Sequence, residues 1–215
     1  MSVRIGIIDY GMGNRRSVQK ALEHVGARAE LTSEAATLRA CAGLVLPGVG
    51  AFPAGMRNLR ELGLDALVDE RARAGVPLLG ICLGMQLLFE RSSEGEPTSG
   101  LSVLPGQVTG LEARGLRLPH IGWNEVRFER PSPLTARLPV AGCPFYHVHS
   151  LAARPADPDL VVGSTEYGER FATIVAREHI FGVQFHPEKS STHGLLMLEA
   201  FVALCAGTRS NAMAA

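Results

Sequence analysis

The first half of the chain carries its hydrophobic residues in short, nearly unbroken runs. Val3 to Ile8, Gly43 to Leu46 and Val76 to Ile81 are almost wholly aliphatic. Runs of this length, without alternation, predict strands buried on both faces. Ala27 to Leu31 predicts another strand. Between the runs, apolar positions recur at helical spacing over about Asn14 to Val25, from Phe52 to Ala74, and after Ile81 through Leu87 and Leu88. Gly26 follows the first of these helices as a C-cap. The repeated strand–helix units predict an α/β fold with a mostly parallel central sheet flanked by helices.

The texture changes after Glu90. Arg91 to Leu101 is rich in Ser, Glu and Gly and reads as a surface loop. From Gly106 to about Ala176, short strand-like runs separated by Pro and Gly predict an added antiparallel portion. Phe181 to Phe185 is the last predicted strand and His193 to Leu204 the last predicted helix. No repeat or linker divides the chain, so residues 1–207 are expected to form a single domain, with 208–215 a short, frayed C-terminal tail.

Composition narrows the classes. Basic and acidic residues number 21 each among 215, so the net charge is zero. A protein devoted to nucleic acid or an anionic membrane surface needs a positive footprint, which this balance does not provide. Hydrophobic residues at 46% and aromatics at 6% predict a sizeable, mainly aliphatic core. The longest charge-free stretches, Cys41 to Met56 and Val76 to Phe89, fall short of the ~18 residues of a membrane span and contain Gly and Pro. Cys41, Cys82, Cys143 and Cys205 form no C-x-x-C pair. They are expected to be thiols in a reducing cytoplasm, not a disulfide scaffold or a zinc site.

One of these cysteines has a special setting. Gly80-Ile81-Cys82-Leu83-Gly84 lies between a predicted strand and a predicted helix, the pattern of a nucleophile elbow with Cys in place of Ser. The flanking glycines leave room for a sharp turn that pushes the thiol out above the sheet edge. The following helix N-terminus favours a thiolate there. Cys41, Cys143 and Cys205 lack this setting and read as small buried residues.

A thiol nucleophile needs a base, and the base needs an orienting group. Phe185-His186-Pro187-Glu188 supplies both. His186 and Glu188, two apart in extended backbone, point to the same side. An oxyanion site needs backbone donors. Leu83, after the nucleophile, gives one, and the Pro47-Gly48-Val49-Gly50 turn gives a second from Val49 or Gly50.

In order and spacing, the Pro47 to Gly50 turn, Gly80 to Gln86 and Phe185 to Glu188 resemble the triad-type (class I) glutamine amidotransferases, over essentially the whole chain. Ile8 to Asn14, Pro119 to Asn124, Tyr146 with Val148 to Ser150, and His186 to Ser190 are similar to segments of those members that serve a second subunit. The resemblance implies a flavodoxin-like sheet and an enzyme that needs no cofactor and no metal. Cys82 would attack the side-chain amide of glutamine, His186 would move the protons, and Glu188 would orient His186. Gln86, Glu94 and Ser150 would contact bound glutamine, Glu94 at the α-amino group and Ser150 near the α-carboxylate. The ammonia would pass to a (βα)8-barrel cyclase subunit in a heterodimer, with Asn14, Trp123, Tyr146 and Lys189 facing that partner.

Two positions depart from the family pattern. Asn14 is followed by Arg15 and Arg16 where Leu is usual, and position 147 is His where an apolar or aromatic residue is favoured. His147 and His149 alternate on a strand, but no Cys or carboxylate stands at ligand spacing, so they read as hydrogen-bonding residues. Gly11-x-Gly13 is not a dinucleotide loop, because the sixth motif position is Arg16. A non-catalytic module of the same fold would not need Cys82, His186 and Glu188 together. A free-standing cysteine hydrolase would need no partner.

Overall fold

The aliphatic runs become the parallel core of the sheet. The structure, a computed structural model, describes residues 2–212, with side chains through residue 207. The first half comprises β1 (Arg4–Ile8), α1 (Arg15–His24), β2 (Arg28–Thr32), α2 (Ala35–Arg39), β3 (Gly43–Gly48), α3 (Phe52–Glu61), α4 (Leu64–Arg73), β4 (Leu78–Cys82) and α5 (Leu83–Leu87). The second half adds β5 (Arg91–Ser92), β6 (Thr98–Ser99), β7 (Gly106–Gly110), β8 (His120–Phe128), β9 (Cys143–His149), β10 (Leu151–Pro155), β11 (Val161–Tyr167), β12 (Glu169–Arg177), β13 (Ile180–Val183) and α6 (Ser191–Ala212).

Strands β2, β1, β3, β4 and β13 lie side by side in that order, and each neighbouring pair is parallel. Beyond β13 the sheet turns antiparallel, through β12 and β10 to β7. Strands β8 and β9 pair along seven residues, and the end of β8 joins the sheet through β11. The last parallel strand thus lies beside the nucleophile strand and leads directly to His186.

Alternate residues of β3 and β4 face opposite layers, and both layers are apolar. Val45, Leu79 and Ile81 pack with Val18 and Leu22 of α1 and Phe201 of α6. Leu44, Leu46 and Leu78 pack with Phe52 and Met56 of α3 and Leu67 of α4. Burying each such side chain contributes ~1.5–3 kcal/mol. A sheet covered on both faces explains why these strands read as continuous apolar runs.

Four stretches differ from the sequence reading. The expected surface loop from Arg91 to Leu101 contains the two short strands β5 and β6, which pair with each other. The helical stretch from Phe52 to Ala74 is two helices, because Gly63 adopts a left-handed conformation (φ 65°) between them. The short helix α2 was not expected; it is five residues long with one buried residue, Leu38, too little to make a periodic signal. The last helix runs on to Ala212, past its expected end at Leu204. No proline stops it there, and the small residues Ala206 and Gly207 do not end a helix already anchored by Phe201 and Cys205. Residues 213–215 of the expected tail lie outside the described residues.

The elbow is built from backbone contact. Cys82 has φ 54° and ψ −111°, a strained conformation for a residue with a side chain. A Cβ on Gly80 would sit 2.7 Å from the Gly84 carbonyl oxygen, and a Cβ on Gly84 would overlap the Leu46 carbonyl oxygen. Substituting Gly84→Ala must therefore push α5 off β3, at about 3 kcal/mol. Gly110→Ala, where a Cβ meets nothing within 4 Å, should cost under ~1 kcal/mol. Urea denaturation of the two variants measures both; equal losses would show that the β3–α5 approach does not hold the elbow.

Candidate active site

Strand β4 ends on Cys82 and α5 begins on Leu83, so the thiol stands at the carboxyl end of the parallel sheet. Cys82 is buried, with 5% exposure. Strand β13 brings the base alongside, since Val183 is level with Ile81. His186 stands close enough to Cys82 for the two to interact, and its Nδ1 lies 2.8 Å from Glu188 Oε1. The carboxylate accepts, so Nδ1 carries the proton and Nε2 faces the sulfur. Glu188 does not follow in extended backbone; Pro187–Lys189 is a single 3₁₀ turn, and the turn delivers the carboxylate. The Glu188 side chain is wholly shielded, and Asn14 Nδ2 donates to its Oε1 at 3.4 Å.

Burial of His186 opposes its positive charge. Its interactions with Cys82 and with the Glu188 carboxylate outweigh burial and raise its pKa to about 10. The other thiols are set apart. Burial pushes Cys143 up to about 11 and Cys205 up to about 12, so neither ionises near neutrality. Cys41 donates to the Thr37 carbonyl.

The candidate oxyanion residues lie on two adjoining elements. Gly48 at the end of β3 is level with Cys82, which places Val49 and Gly50 beside the nucleophile. Leu83 opens α5, where a backbone N–H has no partner within the helix. Tyr10 supports this turn from below: its hydroxyl donates to the Pro47 carbonyl at 2.7 Å, and burial raises its pKa. The five-residue length of α5 limits what its dipole adds.

The expected glutamine contacts are less uniform. The Glu94 carboxylate accepts from the Phe52 amide at 2.6 Å, tying the loop after α5 to the start of α3. Ser150 lies between β9 and β10, next to His149. Gln86 is buried, and both hydrogens of its amide are engaged, one by the Leu151 carbonyl at 3.2 Å and one by Gln184 Oε1 at 3.0 Å. Only its carbonyl is left for a substrate.

Of the four expected partner-facing residues, three adjoin the His186–Glu188 pair. Asn14 touches Glu188, Lys189 follows it, and the Tyr146 carbonyl accepts from the His186 amide at 2.9 Å. Trp123 is opposite Tyr146 across the β8–β9 ribbon, with ring centroids 6.1 Å apart. Arg15 pairs with Asp9 behind Asn14.

The sequence reading missed Gln184, Ser190 and His120. Gln184 lies two residues before His186, and in a strand that spacing puts it on the same face, a signal that was available. Ser190 donates to the His186 carbonyl at 2.7 Å and accepts from the Tyr146 amide at 3.0 Å. His120 stacks between Tyr167 and His147, and these histidines are neutral: burial lowers His120 and His149 to about 4 and His147 further. His147 bridges the Phe145 carbonyl and Thr173 Oγ1, a filled hydrogen-bonding role.

A parallel sheet, a cysteine elbow at its carboxyl edge and a histidine–glutamate pair on the next strand define a cysteine amidohydrolase site. The family model described as glutamine amidotransferase class-I matches residues 6–204, and the chain belongs to that family. A protein of Moorella thermoacetica called imidazole glycerol phosphate synthase subunit HisH is 53% identical over 197 residues, covering 92% of this chain and 93% of that one. The protein of the same name from Shouchella clausii is 46% identical over 208 residues, covering 94% and 99%. Among solved structures, one described as glutamine amidotransferase shares the fold with TM-score 0.74 at 21% identity, covering 94% of this chain and 98% of that one. PurLQS from Thermotoga maritima does so with TM-score 0.76 at 18% identity, covering 95% and 99%.

The raised pKa of His186 makes stability depend on pH. Unfolded, the imidazole would lose its proton near ~6.5. Folded, it holds the proton to about 10, so the stabilisation is complete below pH ~6.5 and is lost as pH rises toward 10. The urea midpoint of the wild-type chain should fall across this window more than that of His186→Gln. Parallel curves would show that the imidazole is not held charged.

Proposed function

We propose that the chain is the glutaminase subunit of an imidazole glycerol phosphate synthase and provides ammonia for histidine biosynthesis. The single observation that carries this reading is the Cys82–His186–Glu188 constellation, in a chain 53% identical to a protein named as that subunit.

The geometry supports the following chemistry. Cys82 Sγ attacks the side-chain carbonyl carbon of glutamine, and the amides of Leu83 and of Val49 or Gly50 receive the charge that develops on oxygen. The C–N bond breaks as His186 gives its proton to the leaving nitrogen, releasing ammonia and leaving a glutamyl thioester. Water then attacks the thioester while His186 takes its proton. The C–S bond breaks, the electron pair returns to sulfur, and glutamate departs. Glu188 keeps the proton on Nδ1 throughout, so that Nε2 does the transferring. Glu94 and Ser150 are placed in this reading at the α-amino and α-carboxylate groups, and Gln86 reaches glutamine through its free carbonyl.

Ammonia released into neutral water becomes ammonium and loses its nucleophilic lone pair, so a dry route to the acceptor is needed. The occupant of the partner face is the cyclase, a (βα)8 barrel. Ile121 and Trp123 project from β8 with 58% and 53% exposure, beside Leu118 at 46%. Three large exposed apolar side chains on β8 and just before it, with Tyr146 adjoining Trp123, suit the desolvated centre of a subunit interface.

Glutamine hydrolysis by the chain alone, then with its cyclase partner and that partner's nucleotide ligand, tests the assignment. Weak activity alone and strong stimulation in the complex are expected, because Val49 at 46% exposure leaves the oxyanion turn open to ordering by the partner. Full activity without the partner would exclude channelling. In the complex, Cys82→Ala should abolish glutamine-dependent synthesis and leave ammonia-dependent synthesis intact. Loss of both would mean that Cys82 is structural.

A further inference from the structure

Gln184 is wholly buried, and its Nε2 lies 3.8 Å from Cys82 Sγ, within the range of a hydrogen bond to sulfur. The Val148 carbonyl oxygen is also 3.8 Å from that sulfur. The carbonyl presents its negative end and opposes charge on sulfur; the amide presents hydrogen and favours it. We propose that Gln184 is a catalytic hydrogen-bond donor to the Cys82 sulfur, held in the donating orientation by the buried amide of Gln86, itself fixed on the Leu151 carbonyl. The donor serves the glutaminase reaction proposed above, and that is the only sense in which it rests on that reading.

The orientation follows from groups that cannot change role. The Leu151 carbonyl can only accept. Gln86 Nε2 therefore donates to it, and its second hydrogen goes to Gln184 at 3.0 Å, which must be the oxygen end of Gln184. The nitrogen end is left facing the sulfur. The same carbonyl also accepts from His149 Nδ1 at 2.8 Å, so His149 Nε2 is bare. His120 Nδ1, 3.1 Å away, must then donate to it, leaving His120 Nε2 to accept from Asn124 Nδ2 at 3.3 Å. Asn124 in turn donates to the Glu166 carbonyl at 3.0 Å. Each member has one allowed orientation, and the amide of Gln184 cannot turn over without losing its bond from Gln86.

Such a donor acts twice. It favours the sulfur anion before attack, and it stabilises the sulfur as it leaves the thioester, when the pair from the broken C–S bond returns to it.

Alkylation of Cys82 by iodoacetamide, followed across pH in the chain without glutamine, tests this. Cys82→Ala serves as the blank for the other thiols. Gln184→Met keeps the volume and removes the donor. It should be alkylated about tenfold more slowly at pH 6.5 and as fast as wild type at pH 10, the pattern of a lost charge-assisted hydrogen bond. Gln86→Met keeps Gln184 but frees it to turn, and should slow the reaction about threefold at pH 6.5 with the same convergence. If Gln184→Met fails to fold, Gln86→Met decides alone. Wild-type rates at pH 6.5, or slowing by one factor at every pH, would overturn the proposal, since a packing role changes access and not ionisation. In the cyclase complex, Gln184→Met should lower kcat about tenfold with KM little changed. The alkylation result stands even if the wild-type complex hydrolyses no glutamine, so failure of the glutaminase reading and failure of this one are separable.

Discussion

The site depends on the contact of two backbones. Helix α5 lies against the end of β3 so closely that the Leu46 carbonyl occupies the space of a Cβ on Gly84. That approach forces the chain to reverse sharply at Cys82, which takes up a positive φ. It also brings Gly48 level with the nucleophile, so one packing contact sets both the thiol and the turn that would hold the oxyanion. The strain at Cys82 is offset by layers of aliphatic side chains on both faces of the sheet.

The second constraint is the neighbouring strand. Parallel pairing of β13 with β4 leaves their carboxyl ends at the same height, and His186 follows at once. His186 is thus placed by sheet register, and Glu188 by a single turn. Because the pair is shielded from water, the interactions of His186 with Glu188 and Cys82 outweigh the cost of burying its charge.

The elbow, the triad and the parallel strands were legible in the sequence because each leaves a local mark. Gly80 and Gly84 bracket Cys82; Pro187 and Glu188 follow His186; continuous aliphatic runs mark strands with two buried faces. What was not legible arises from pairing between distant segments. The break at Gly63 depends on where α4 finds its apolar partners, and the extension of α6 on the anchoring of residues before it. The role of Gln184 is a matter of company: an amide in an aliphatic strand gives no hint that Gln86, 98 positions earlier, will orient it. His147 likewise looks anomalous in sequence and is ordinary in space, bridging a carbonyl and Thr173.

The Leu151 carbonyl has a further consequence. It receives a hydrogen bond from His149 on one side and from Gln86 on the other, and it has no hydrogen of its own to pass on. Hydrogen-bonded imidazoles can pass protons along, and His120 with His149 forms such a segment pointing toward the buried thiol. Here both arms end at an oxygen that only receives, so the line is open-circuit. The interior keeps a rigid polar skeleton without becoming a leak, and a neutral nitrogen nucleophile generated at the sulfur is not protonated from behind.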